Sequence, residues 1–211
     1  MARKPKAADT AAPMSMRDPL DTALAMIETG GWRGFSLVEL ARELGVPVGE
    51  VYAQFPCRTA VLHELGKRLD SRMLELSAAD LDDMSTRDRL FELIMRRFDA
   101  MKPYREALRR VAKESRGDLE AAGVGFCNLT RSVVEIVDAA GIRGPAALLA
   151  RKGVGLLYLR VLRVWMRDED PEQAKTLAEL DQGLARLEQT ARNLCRFMPK
   201  RRAKEAEPAA V

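Results

Sequence analysis

The side chains that could do chemistry in this sequence are few and poorly spaced for catalysis. The lone histidine, His63, has no second histidine at metal-ligand spacing, so it supports neither a zinc site nor a catalytic triad. A packing or solvent-facing role suits it. Cys57, Cys127 and Cys195 stand far apart, an odd number with no C-x-x-C pair. They signal neither a disulfide framework nor a zinc site, and fit buried or idle thiols in a reducing cytoplasm. Ser36 and Ser85 are each followed three residues on by an acid, Glu39 and Asp88, which is helix-cap chemistry rather than that of a nucleophile. No G-x-S-x-G occurs. "GGWRG" and "GVGF" lack the Lys-Ser/Thr pair and strand context of a phosphate loop. "DLDDM" at residues 80–84 is too short, and has no glycine, for a calcium loop. These residues predict a non-enzymatic protein with no catalytic residue, no metal and no cofactor.

A different chemistry, recognition, is concentrated in "GVPVGEVYAQF", Gly45 to Phe55. Val51, Tyr52 and Phe55 give it the apolar face of a short helix, and Gly49, Glu50, Ala53 and Gln54 fall on the other side. A carboxylate such as Glu50 can accept a hydrogen bond from cytosine N4 in a major groove.

The elements that must position this stretch are legible on both sides. Asp18 is an N-cap ahead of Pro19, and Leu20, Ala23, Leu24 and Ile27 repeat with helical spacing until Gly30 and Gly31 end the helix. Ser36 and Glu39 have the form of a capping box opening a second helix, with Leu37, Leu40, Ala41 and Leu44 on one face and Gly45 as its stop. After Pro56 and Cys57, the residues Leu62, Leu65, Leu69, Met73 and Leu76 predict a longer connector helix. The spacing predicts further helices from about Ser85, with a break at Lys102-Pro103, then a helix striped by Phe126, Leu129, Val133, Val137 and Ala140, one from Pro145 to about Met166, and a last long one. No strand-period segment of useful length occurs. The fold class expected is all-α: an N-terminal three-helix helix-turn-helix lobe on residues 18–58 and a helical domain on residues 59–198.

Bulk properties agree. The 211 residues are 47% hydrophobic, 31% charged and 5% aromatic, with a net charge of +4, the balance of a soluble globular chain. Much of the positive charge sits at the ends, in "MARKPK" and "PKRRAK", so residues 1–17 and 199–211 are expected to be a disordered basic arm and tail. No apolar run reaches signal-peptide or membrane-span form, so a cytoplasmic protein without integral membrane association is expected. Phe197 and Met198 beside Lys200, Arg201 and Arg202 could touch an anionic membrane, although a solvated tail explains them as well.

The last two helices carry an assembly signal. Ala174, Leu177, Leu180, Leu184, Leu187, Ala191 and Leu194 recur at spacings of three and four. The preceding helix is apolar on more than one side, through Leu148, Leu149, Leu156, Leu157, Leu159, Val161, Leu162, Val164 and Trp165. A helix of that kind must be covered nearly all round. The two helices are therefore expected to pair with their copies in a four-helix bundle, with Leu156, Leu159, Arg163, Leu177, Leu180, Leu184, Leu187 and Ala191 at a homodimer interface. An ordinary intrachain core is the alternative.

"SLVELARELGVPVGEVYAQFPCRTAVLHEL", with Trp32 and Phe35 before it, resembles the N-terminal domain of the TetR-type transcriptional regulators over about Asp21 to Leu69. The resemblance implies an all-helical dimer on a palindromic operator in double-stranded DNA, with an apolar small-molecule effector bound in the C-terminal domain. It places Ser36, Tyr52 and Arg58 at phosphate-contacting positions, and Val48, Gly49, Glu50, Ala53 and Gln54 on or beside the groove-facing surface. It also implies a pocket, for which Phe91, Met95, Phe98, Met101, Tyr104, Phe126, Tyr158 and Trp165 have adaptable apolar side chains. Core filling is an equal use for each of them. The implied function is a ligand-responsive regulator, expected to be a repressor.

Two departures accompany the resemblance. Pro47-Val48 and Glu50 stand where a polar pair and a Thr or Ala are more usual, and residues 17–66 hold Arg17, Arg33, Arg42 and Arg58 against Asp18, Asp21, Glu28, Glu39, Glu43, Glu50 and Glu64. The lobe is net acidic, whereas DNA affinity rests largely on phosphate neutralisation. A second resemblance offers an alternative. "RDRLFELIMRRFDAMKPYREAL" and "WMRDEDPEQAKTLAELDQGL" are similar to the C-terminal half of a TetR-fold, lipid-binding accessory family of ubiquinone biosynthesis. It implies a non-enzymatic lipid or isoprenoid binder.

Overall fold

The computed structural model describes residues 18–197, so the expected arm and tail lie outside the described residues. The described residues are all-helical, without strands. The helices are α1 (Pro19–Gly30), α2 (Leu37–Leu44), α3 (Val48–Gln54), α4 (Ala60–Met73), α5 (Ala78–Asp82), α6 (Thr86–Met101), α7 (Arg105–Glu114), α8 (Leu119–Ala139), α9 (Pro145–Trp165) and α10 (Ala174–Phe197). A 3-10 turn at Lys102–Tyr104 separates α6 from α7, where Pro103 cannot continue an α-helix. Two compact units result. One runs up to Glu75 and takes in Arg96–Ser132; the other comprises Leu76–Met95 and the chain from Val133 onward.

In the first unit, Asp18 caps α1 by accepting from the Leu20 amide at 2.8 Å. Leu20, Ala23, Leu24 and Ile27 turn inward and are at most 2% exposed. α1 packs on α2, α4 and α7, and each fully buried large side chain there contributes roughly 1.5–3 kcal/mol by leaving water. Ser36 caps α2 by accepting from Val38 N at 3.2 Å, one residue short of the box geometry its spacing suggests. The reciprocal box forms at Ser77 and Asp80, where it stabilises the single-turn α5 that apolar periodicity is too short to announce.

A buried ionic centre joins α4 to α6 and α8 in the same unit. Asp70 accepts from Arg97 Nε at 2.9 Å, from Arg131 at 2.8 and 3.0 Å, and from the Ser132 hydroxyl at 2.6 Å. Asp70 and Arg97 are almost fully buried, so this carboxylate is held by charge-assisted bonds in place of water. Beside it, Asn128 lies across Gly66 and donates to the Leu62 carbonyl at 2.8 Å.

In the second unit, α9 and α10 pack together. Val154, Leu157, Val161 and Trp165 of α9 and Leu180 and Leu184 of α10 are buried there. Gly183 lets Leu157 approach closely, since a Cβ there would collide with it. Asp168 caps α10 from outside, accepting from the Thr176 amide at 3.0 Å and its hydroxyl at 2.8 Å. Burial raises the Asp168 pKa, but the two Thr176 bonds, the Asp170 amide and Lys175 outweigh it and leave the carboxyl below its ordinary value. α8 begins at Leu119, seven residues before the stripe that starts at Phe126, because its first two turns are mostly exposed and leave little apolar period to read.

Candidate nucleic-acid interface

α2 and α3 form a helix-turn-helix whose inner side is set by Leu37, Leu40, Ala41, Leu44 and Val51, all buried. Gly45 adopts the left-handed conformation, φ 66° and ψ 29°, which a side chain would disfavour. Its amide and that of Val46 close the end of α2 on Arg42 O and Ala41 O. α3 starts at Val48 with no side-chain cap, and Glu50 in its first turn complements the helix dipole. Val51 and Phe55 anchor α3, at 4% and 0% exposure, which turns Val48 and Tyr52 outward at 41% and 46%. Gly49, Glu50, Ala53 and Gln54 are exposed beside them. The structure thus brings the six expected α3 residues onto one accessible surface. Ser36 is half-buried with its oxygen engaged in the α2 cap, and its hydroxyl proton remains available to an acceptor.

Arg58 is placed differently from a free phosphate contact. Its guanidinium lies 4.4 Å from the centroid of the Trp32 ring, and Nη2 donates to Asp118 Oδ2 at 2.9 Å. The Trp32 indole donates to the same oxygen at 3.2 Å. Asp118 opens α8 by accepting from Ala121 N at 3.0 Å. That bond, then the indole, with Arg58 beside them, holds its carboxyl below the usual range against a modest burial penalty. Two more acids of the α7–α8 corner reach the lobe. Glu114 accepts from Arg33 N at 3.1 Å through its carboxylate, and from Arg33 Nε at 3.1 Å through its carbonyl. Glu120 accepts from Thr59 Oγ1 at 2.6 Å. Nothing at short range joins these three acids to Trp32, Arg33, Arg58 and Thr59, which lie 60 to 86 residues away.

The eight expected pocket residues divide between the two units. In the first, Phe98, Met101 and Tyr104 are core; the Tyr104 hydroxyl donates to Asp21 Oδ1 at 3.0 Å, tying the turn before α7 to α1. Phe126 is 68% exposed and stands on the surface of α8. In the second, Met95, Tyr158 and Trp165 are core and Phe91 is half-buried. The Trp165 indole donates to Gln173 Oε1 at 2.8 Å. Two open grooves lie among the described residues, one of about 490 Å³ around Asp138, Arg143, Ala147 and Arg151, and one of about 520 Å³ around Asp21, Ala25, Thr29 and Glu43. Neither is lined by any of the eight.

The expected dimer residues also separate. Leu156 is 71% exposed and Leu159 36%, with Arg163 and Ala191 exposed and Leu177 and Leu187 half-buried. Leu180 and Leu184 are buried within their own unit at 0% and 2%. His63 is exposed, with Nδ1 3.3 Å from Asn128 Oδ1. Cys57 and Cys127 are exposed free thiols. Among the described residues no acidic, histidine and cysteine cluster could hold a metal, and no helix is long and apolar enough to cross a membrane.

Residues 20–65 match the family described as "Bacterial regulatory proteins, tetR family". Among solved structures, the chain is similar to a TetR transcriptional regulator from Nitrosomonas europaea, with 24% identity over 80% of this chain and 94% of that one and a TM-score of 0.68. It is similar to a tetR-family transcriptional regulator from Streptomyces coelicolor, at 19% identity over 83% and 81% with a TM-score of 0.58. A third likeness is to a TetR transcriptional regulator from Rhodococcus sp. RHA1, at 18% identity over 80% and 94% with a TM-score of 0.56. No curated protein matches the sequence. Residues 20–65 are thus a TetR-family N-terminal domain, and the chain that carries them has the fold of the TetR-type regulators.

Proposed function

We propose that the chain is a ligand-responsive transcriptional repressor that binds a palindromic DNA operator as a homodimer and releases it when an apolar effector binds. The observation that carries this reading is the division of α3: Val51 is locked in the core while Val48, Gly49, Glu50, Tyr52, Ala53 and Gln54 form one exposed surface. A recognition helix must be divided in that way to enter a major groove. Tyr52 offers a hydroxyl to phosphate and Glu50 an acceptor to cytosine N4. Dimerisation is supported by the uncovered face of α9, where Leu148, Leu149, Leu156 and Leu159 are each at least 36% exposed, an apolar surface of the kind that marks an association site. The effector reading is supported by the family match at residues 20–65, and the protein is expected to work in the cytoplasm, where its operator would be.

The test is fluorescence anisotropy against DNA from upstream of the protein's own gene, at physiological salt, beside a scrambled duplex. Binding near 10⁻⁸ M or tighter, at least about a thousandfold in favour of the upstream DNA, is on the order expected for specific recognition. Equal, salt-labile binding of both duplexes sinks the repressor reading. The second reading, a non-enzymatic lipid or isoprenoid binder of ubiquinone biosynthesis, is supported by the acidic lobe and by the engagement of Arg58 with Asp118. It predicts that an apolar molecule extracted from the purified protein accompanies that negative result.

A further inference from the structure

The α7–α8 corner meets the helix-turn-helix lobe through the kinds of donor that proteins use to hold DNA phosphates: a backbone amide, a guanidinium and a hydroxyl. Arg33 N reaches Glu114 Oε2, Arg58 reaches Asp118, and Thr59 Oγ1 reaches Glu120. The lobe's described arginines are Arg33, Arg42 and Arg58, and the corner engages two of them. We propose that Asp118 is an internal competitor of DNA: its carboxylate occupies, at Arg58, the place of a backbone phosphate, and it keeps that cation out of the DNA-contacting set until the corner gives way. This rests on the DNA-binding reading and names a regulation of the same site.

Three features make the competition physical. Arg58 keeps 36% of its side chain exposed, so a phosphate has access to it. Its protein bonds are one short one, to Asp118, and a long one from Nη1 to the Trp32 carbonyl at 3.5 Å; Nε has no hydrogen-bond partner among the described residues. The ring of Trp32 beneath it is fully buried, so the cation rests on a fixed platform while its carboxylate partner is exchanged. An exchange of Asp118 for phosphate leaves the number of ion pairs unchanged, whereas removal of the Asp118 charge leaves Arg58 with no competitor.

The experiment uses the full chain and a scrambled duplex, with anisotropy titrations at several salt concentrations for wild type, Asp118→Asn, Arg58→Ala and the double variant. Asp118→Asn keeps the shape of the side chain and an oxygen for Trp32. One added phosphate contact steepens the salt slope by about 0.9 and tightens binding by about five- to tenfold at 0.1 M salt. The gain is expected in Asp118→Asn and is expected to vanish in the double variant. Unchanged or weaker binding by a folded Asp118→Asn, or a gain that survives loss of Arg58, overturns the proposal. If Asp118→Asn fails to fold, Trp32 emission is read in a Trp165→Phe background with an intact corner. A change on saturation with duplex supports departure of Asp118 from the Trp32 indole and from Arg58, and no change overturns it. Specificity for upstream DNA is a separate comparison, wild type against two duplexes, so the repressor reading can fail while this one stands.

Discussion

Arg58 and Asp118, 60 residues apart, meet at 2.9 Å over the face of Trp32. The carboxyl of Asp118 is held below its ordinary value, first by the Ala121 amide and then by the Trp32 indole, with Arg58 adjacent. A depressed carboxyl stabilises the fold above its unfolded-state pKa, about 3.9, and that contribution is lost as pH falls through the lower, folded value. Thermal melts from pH 7 down to pH 2.5 should therefore show wild type above Asp118→Asn at neutral pH and the gap closing below about pH 4. A gap that stays constant through that window would mean that the carboxylate charge takes no part.

Asp70 gives a second expected outcome, larger because its site is sealed. Asp70→Ala removes the anion that Arg97 and Arg131 share, and Arg97 is only 5% exposed. Breaking a buried pair on one side costs about 3–5 kcal/mol. Urea unfolding should show a midpoint lowered accordingly with its slope retained. A loss under about 1 kcal/mol would indicate that water enters and solvates the guanidiniums.

Gly66 concerns the approach of α4 to α8. A Cβ there would fall 2.7 Å from Asn128 Cγ and Nδ2, closer than non-bonded atoms allow. Gly66→Ala is expected to cost about 1–3 kcal/mol through overpacking, even though alanine favours a helix by up to about 1 kcal/mol. In an Asn128→Ala background the collision is gone and the helix preference alone remains, so the same substitution should become neutral or stabilising. A double-mutant cycle measures that change of sign; additivity would place the cost elsewhere.

These relationships mark where the sequence was readable. α1 to α3 were legible from residue to residue, because Asp18, Gly31 and Gly45 act within a turn of the groups they cap and Leu20 to Ile27 repeat with the helix period. The exposed side of α3 was legible in the same way for Gly49, Glu50, Ala53 and Gln54, opposite Val51 and Phe55, whereas Tyr52, which the apolar pattern groups with those two, is 46% exposed. Arg58 was not legible in that way. Its short-range context is a turn after a helix, and its actual partner is supplied by a corner 60 residues on. Phe126 and Leu180 fail to separate for a related reason. Both sit on apolar stripes, and only the packing of the neighbouring helix decides that one is covered and the other is not.

The last prediction uses that distinction to find the partner of α9. Leu156, at 71% exposure, and Leu180, at 0%, belong to packed helices and were equivalent as sequence. Leu156→Glu puts a charge on a surface already in water, so the isolated chain should keep its fold, with a stability change within about 0.5 kcal/mol. A dimer built on that face would instead bury the carboxylate, and the variant should sediment as a monomer where wild type sediments as a dimer. Leu180→Ala should behave in the opposite sense, lowering stability by about 2–5 kcal/mol through the cavity it leaves, while the uncovered face of α9 is untouched and the dimer persists at temperatures where the chain is folded. If Leu156→Glu remains dimeric, the contact surface lies elsewhere than the exposed leucines of α9.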